Sequence, residues 1–136
     1  MEANEHYSKI LVVEDEQALR FLMRKQLEQL GFEVDVAENG LDAIRCFEDS
    51  RYLLIFMDIQ MPYMDGLMAT AAIRSHEHQL YRTPTPIIAT TSGGASRELC
   101  LTVGMSDYLA KPVRIEQLKA MLEQYSCNKG RIEVAS

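Results

Sequence analysis

Five residues able to do phosphate or metal chemistry stand directly after, or at the end of, short apolar runs. Glu14 and Asp15 follow Ile10–Val13, Asp58 follows Leu53–Met57, Thr91 follows Ile87–Thr90 and Lys111 follows Tyr108–Ala110. If the fold brings these ends together, three carboxylates, a hydroxyl and an ammonium share one place. Two carboxylates about 4 Å apart repel by roughly 4 kcal/mol at an intermediate dielectric, and three fare worse. Either a pKa rises or a cation binds. Oxygen-only donors with room for water favour Mg2+ or Mn2+ over zinc. Lys111 supplies one positive charge, too little for three carboxylates and an incoming phosphate, so the set calls for an ion.

The elements that must position these residues are legible from periodicity. Five short runs rich in branched or aromatic residues, Ile10–Val13, Val34–Val36, Leu53–Met57, Ile87–Thr90 and Tyr108–Ala110, read as strands. Amphipathic stretches alternate with them. Ala18, Leu19, Leu22, Met23, Leu27 and Leu30 form one helical face that stops at Gly31. A second helix follows Asn39 and Gly40 and buries Ala43, Ile44 and Phe47; a third begins near Met64 and presents Leu67, Ala71 and Ile73. A fourth, Ser96 to Val103, carries Leu99, Cys100 and Val103 on one side. A fifth places Ile115, Leu118, Leu122 and Tyr125 over the last strand. The stretch His76–Pro86 and the pair Gly93 and Gly94 read as loops. The alternation predicts an α/β domain with a parallel sheet. Right-handed crossovers then gather the loops after the strands at one edge, where such sheets place their sites.

Each residue alone has an ordinary structural explanation. Glu14 and Asp15 suit a helix N-terminus, Asp58 a turn before Met61 and Pro62, Thr91 a strand end and Lys111 a solvated surface. The joint occurrence of one reaction's residue types at four strand ends favours function.

Bulk properties bound the rest. The 136 residues, 47% hydrophobic, suffice for one domain with a sizeable core. A formal net charge of -6 argues against direct nucleic-acid binding, which rests on lysine and arginine facing phosphates. No apolar run approaches the roughly eighteen residues of a membrane span, and Met1–Ser8 is polar, so a cytoplasmic location without membrane contact is expected. Cys46, Cys100 and Cys127 are odd in number, widely spaced and read as free thiols.

The runs ILVVEDE (Ile10–Glu16), MDIQMPYMDG (Met57–Gly66), PIIATTS (Pro86–Ser92) and GMSDYLAKP (Gly104–Pro112) together resemble the receiver domains of response regulators and hybrid histidine kinases. The likeness spans about Lys9 to Tyr125. It implies a flavodoxin-like (βα)5 three-layer sandwich, its five-stranded parallel sheet in the order 2-1-3-4-5. A flexible segment 1–8, a receiver domain 9–126 and a C-terminal tail 127–136 are then expected. The resemblance implies a phosphoacceptor signalling domain, assisting its own phosphorylation and dephosphorylation, rather than an enzyme. Asp58 would take a phosphoryl group from a phosphohistidine on a histidine kinase or histidine phosphotransfer protein. Asp15, Asp58 and the backbone carbonyl of Gln60 would bind magnesium directly, with Glu14 holding it through water. Lys111 would pair with one phosphoryl oxygen and Thr91 would close on another. Tyr108, otherwise a half-buried strand aromatic, would rotate into the vacated space. The face of the fourth helix, fifth strand and fifth helix would change shape for a downstream effector or a homodimer. Lys111–Pro112 resembles the family's cis peptide.

Departures are few. Ser92 stands where alanine is common, Gln60 and Gly93 occupy positions that vary the acyl phosphate lifetime, and Leu53 and Met68 replace frequent acids. The style of the motifs leans toward hybrid kinases, and a free-standing regulator fits as well. A haloacid-dehalogenase-type phosphatase would need a second acid where Gln60 stands. A flavodoxin-like cofactor binder would need a phosphate-cradling loop where Glu14 and Asp15 stand. A receiver-like interaction module without turnover is the serious rival, and such degeneration usually costs an acid or the lysine, all of which are present.

Overall fold

The computed structural model describes residues 9–93 and 96–135, with side chains through residue 125. Ten elements alternate: β1 (Lys9–Val13), α1 (Gln17–Gln29), β2 (Glu33–Ala37), α2 (Gly40–Asp49), β3 (Leu54–Asp58), α3 (Gly66–Gln79), β4 (Ile87–Thr91), α4 (Arg97–Thr102), β5 (Asp107–Ala110) and α5 (Ile115–Ala135). The segment 1–8 lies outside the described residues. The stretch 127–136 read as a tail is helical through Ala135, and its side chains lie outside them too.

The strands form one sheet in the order β2-β1-β3-β4-β5, and every neighbouring pair is parallel. This is the flavodoxin-like order expected from the resemblance. β3 and β4 are buried along their whole length, which is why they read as continuous apolar runs. Successive side chains alternate between faces. Leu11, Val13, Ile55, Met57, Ile87 and Ala89 pack with Ala43 and Phe47 of α2, Ala69 and Ile73 of α3 and Cys100 of α4. Ile10, Val12, Leu54, Phe56 and Ile88 pack with Met23 and Leu27 of α1 and Leu118 and Leu122 of α5. The result is three layers, with three helices on one face and two on the other.

Local chemistry sets several helix starts. Asn39, Asp65 and Ser96 each accept a backbone N–H of the first turn, from Asp42, Met68 and Leu99 at 2.9, 2.9 and 3.1 Å. Gly31, at φ 100, ends α1 in a conformation that side chains rarely adopt. Gly66 is required by closeness instead: a Cβ there would run into the backbone carbonyl of Asp58, so the start of α3 packs directly against the end of β3.

Several helical details differ from the periodic reading. In α1 the core contacts are Met23 and Leu27, while Ala18 is exposed and Leu22 is 47% exposed. In α3, Asp65 shifts the start from Met64 to Gly66, and the buried face is Ala69, Thr70, Ile73 and Glu77; Ala71 faces solvent. The helix also takes in His76–Gln79, read as loop, because Glu77 is anchored: its carboxylate accepts from Arg74 Nη1 and from the Thr85 N–H, both at 2.7 Å. α4 has a single buried residue, Cys100, and Leu99 is exposed because so short a helix touches the sheet along one line.

Candidate functional site

Strand register brings the residues together. Val13 pairs with Met57 across β1 and β3, so Glu14 and Asp58 emerge side by side. Asp58 pairs with Thr90, and Thr91 pairs with Ala110, so Thr91 and Lys111 leave the same sheet edge. Backbone bonds extend the alignment past the strands: Glu14 N–H donates to the Ala37 carbonyl at 3.0 Å, Ile59 N–H to Thr90 at 3.1 Å and Lys111 N–H to Thr91 at 2.8 Å.

Glu14 and Asp58 are almost fully buried, whereas Asp15 is exposed. One carboxylate oxygen from each lies within 4.8 Å of the others. Lys111 Nζ reaches Glu14 Oε1 at 2.8 Å and Asp58 Oδ2 at 3.2 Å. The first contact is the shorter one and seats the ammonium against a fully buried oxygen of Glu14. Asp58 Oδ1 accepts the Gln60 N–H at 3.2 Å. Burial, then the neighbouring Glu14 charge, push the Asp58 carboxyl up to about 7 against the lowering pull of Lys111. Burial opposes the charge on Lys111, but its contacts with Glu14 and Asp58 outweigh that and hold it above the ordinary lysine value.

The arrangement is electrostatically unfinished. One ammonium faces three carboxylates, two of them taken out of water, and the carboxyl in the middle is held far from its normal acidity. The donors are all oxygen and Asp15 leaves the cluster open to solvent; these residues fit a hydrated divalent cation.

Thr91 is buried, and its hydroxyl oxygen accepts the Gly93 N–H at 3.1 Å. Ser92 Oγ donates to Gln60 Oε1 at 3.3 Å across the mouth of the site. Tyr108 is half-buried against the core on the α2–α3 side, and the Lys111–Pro112 peptide is cis. Two features escaped the sequence reading. A groove of about 380 Å³ runs from Glu14 and Lys111 over Leu19, Leu22, Met23, Pro112 and Val113. Arg20 donates from Nη1 to the backbone carbonyl of Glu14 at 2.8 Å and to that of Asp15 at 3.4 Å. The one sequence signal for the groove was the apolar stripe of α1 that holds Leu19, Leu22 and Met23; Arg20 had none beyond its place in the first turn of α1.

The sequence profile of the family described as response regulator receiver domain matches residues 10–123. The chain is 35% identical to a probable histidine kinase 1 of Oryza sativa subsp. indica, over 87% of this chain and 15% of that protein. It spans between 4% and 20% of the length of eight curated relatives that it resembles, this kinase among them. Among solved structures, it superposes with a TM-score of 0.78 and 37% identity on the receiver domain of a Pseudomonas aeruginosa sensor histidine kinase with a magnesium ion in its active site cleft, covering 88% of this chain and 98% of that one. A co-crystal structure of the Saccharomyces cerevisiae histidine phosphotransfer signaling protein Ypd1 with the receiver domain of its downstream response regulator Ssk1 matches with a TM-score of 0.84 at 28% identity, over 89% and 90%. Among the described residues, no helix is long and apolar enough to cross a membrane.

Proposed function

Since the chain belongs to the response regulator receiver domain family, the signalling family of two-component pathways, we propose that Asp58 is the phosphoacceptor of a magnesium-dependent relay from a phosphohistidine. The observation that carries this is the cluster itself: a buried carboxyl pushed up to about 7, between a second buried carboxylate and a lysine 3.2 Å away.

An Asp58 carboxylate oxygen attacks the phosphorus of the donor phosphohistidine. The P–N bond breaks, its electron pair goes to the imidazole nitrogen, which takes a proton from solvent, and an aspartyl phosphate remains. Asp15, Asp58 and the Gln60 carbonyl would hold the cation directly, with Glu14 holding it through water. Bound magnesium supplies positive charge that offsets the carboxylates and the phosphoryl oxygens. Lys111 adds a fixed charge for one phosphoryl oxygen, and the Thr91 hydroxyl exchanges its Gly93 contact for another. Such transfer needs positioning and charge more than covalent chemistry, and both lie at the strand ends.

The donor is a histidine kinase or histidine phosphotransfer protein. The groove over Leu19, Leu22 and Val113 opens beside Lys111 and gives such a protein an apolar seat next to Asp58. Movement of Thr91 draws on β4 and frees room for Tyr108, reshaping the α4–β5–α5 face for a downstream effector or a second copy.

Incubation with acetyl phosphate and Mg2+ tests the assignment by intact mass. The wild type gains one phosphoryl group and Asp58→Ala gains none; equal labelling of both sinks Asp58 as acceptor.

A further inference from the structure

We propose that Arg20 is a positioning residue for the acid pair, presetting the β1–α1 turn so that Glu14 and Asp15 converge on Asp58 before any cation arrives. This rests on the reading of the site as a magnesium-dependent phosphoacceptor.

Glu14, Asp15 and Glu16 are three consecutive acids whose mutual repulsion would open the turn that carries them. The usual restraint is missing there. Asn39, Asp65 and Ser96 cap the starts of α2, α3 and α4, but Glu16, at the start of α1, makes no side-chain cap bond. Arg20 supplies the restraint from the other direction. A long side chain on a helix leans back toward its N-terminus, and that of Arg20 places Nη1 2.8 Å from the Glu14 carbonyl and 3.4 Å from that of Asp15. The same turn is tied from within, where the Glu16 N–H donates to Glu14 Oε2 at 3.1 Å. Held by both contacts, the Glu14 backbone cannot swivel its carboxylate away from Lys111. A guanidinium suits the task because one planar, permanently charged end group, held at the tip of a long side chain, turns both hydrogens of Nη1 toward the two carbonyls.

The charge of Arg20 opposes a nearby cation while its geometry favours one, so the deciding variant keeps the charge and shortens the reach. Arg20→Lys should weaken Mg2+ binding by about ten-fold, the low end for a residue that orients ligands from behind, in an NMR titration of the unphosphorylated protein. At saturating Mg2+ its phosphorylation rate by acetyl phosphate should return to within about two-fold of wild type, a split that general loss of structure would not produce. Unchanged or tighter Mg2+ binding overturns the proposal, as does a rate loss that persists at saturating Mg2+ with affinity intact. If the metal-free spectrum shows Arg20→Lys misfolded, Arg20→Gln decides by the same two readouts. A wild type that binds no Mg2+ and takes up no phosphoryl group refutes the underlying function and this role with it.

Discussion

Replacing Asp58 with asparagine should make the metal-free protein more stable. The wild-type carboxyl sits at about 7 in the folded state against an ordinary 3.8, because burial and Glu14 outweigh Lys111. A raised folded pKa means that folding disfavours the ionised form. The sign follows: the wild type carries no penalty below about pH 4, and stability is lost as pH climbs through the window from about 4 to about 7. The difference of about three pKa units, at roughly 1.4 kcal/mol each, sets a ceiling of about 4 kcal/mol at pH 8. Asparagine keeps the shape and leaves Lys111 paired with Glu14 at 2.8 Å, so a gain on the order of 2–4 kcal/mol is expected. Urea unfolding in EDTA at pH 4.5 and pH 8 measures it, with the gap between variant and wild type widening at the higher pH. Magnesium should then stabilise the wild type in proportion to its binding and the variant much less. A variant no more stable than wild type at pH 8, or a gap that ignores pH, would refute the electrostatic reasoning.

Lys111→Met should retain Mg2+ binding, measured by calorimetry, yet show no NMR response to beryllofluoride; a full response would remove Lys111 from the mechanism. Gly66→Ala forces a Cβ against the Asp58 carbonyl and should cost about 3 kcal/mol or more in urea unfolding, with a change under about 1 kcal/mol contradicting the packing. Glu77→Ala removes the acceptor of Arg74 Nη1 and of the Thr85 N–H and should cost about 3 kcal/mol by the same assay. Tyr125→Phe loses the hydroxyl that donates to Asp107 Oδ2 at 2.8 Å, with the Ser106 carbonyl 3.0 Å away as its alternative acceptor, for about 1 kcal/mol. An unchanged unfolding midpoint would show that this contact contributes nothing net.

The site was legible because its residues are fixed by strand ends, and strand ends are marked by where apolar runs stop. Asp58 is the last residue of β3, and Glu14 and Lys111 come directly after β1 and β5, so a one-residue uncertainty in a strand hardly moves them. Helix faces were less legible. Leu22 fits the apolar stripe of α1 but lines the groove beside the site, so periodicity drew it into the core. Glu77 read as part of a polar loop because an acid is normally solvated; its burial depends on Arg74 and on the Thr85 N–H eight residues away, partners that only the fold supplies. Arg20 was invisible for the same reason, since a lone cation in an amphipathic helix reads as solvated and its carbonyl partners carry no sequence mark.

Amide-resolved NMR during addition of Mg2+ and then beryllofluoride probes most directly whether the strand ends form one working centre. Mg2+ should shift the amides around Glu14, Asp15, Asp58 and Gln60 together, and beryllofluoride should then move Thr91, Lys111 and Tyr108. Saturating Mg2+ that leaves these amides in place, or beryllofluoride shifts that survive in Asp58→Ala, would contradict it.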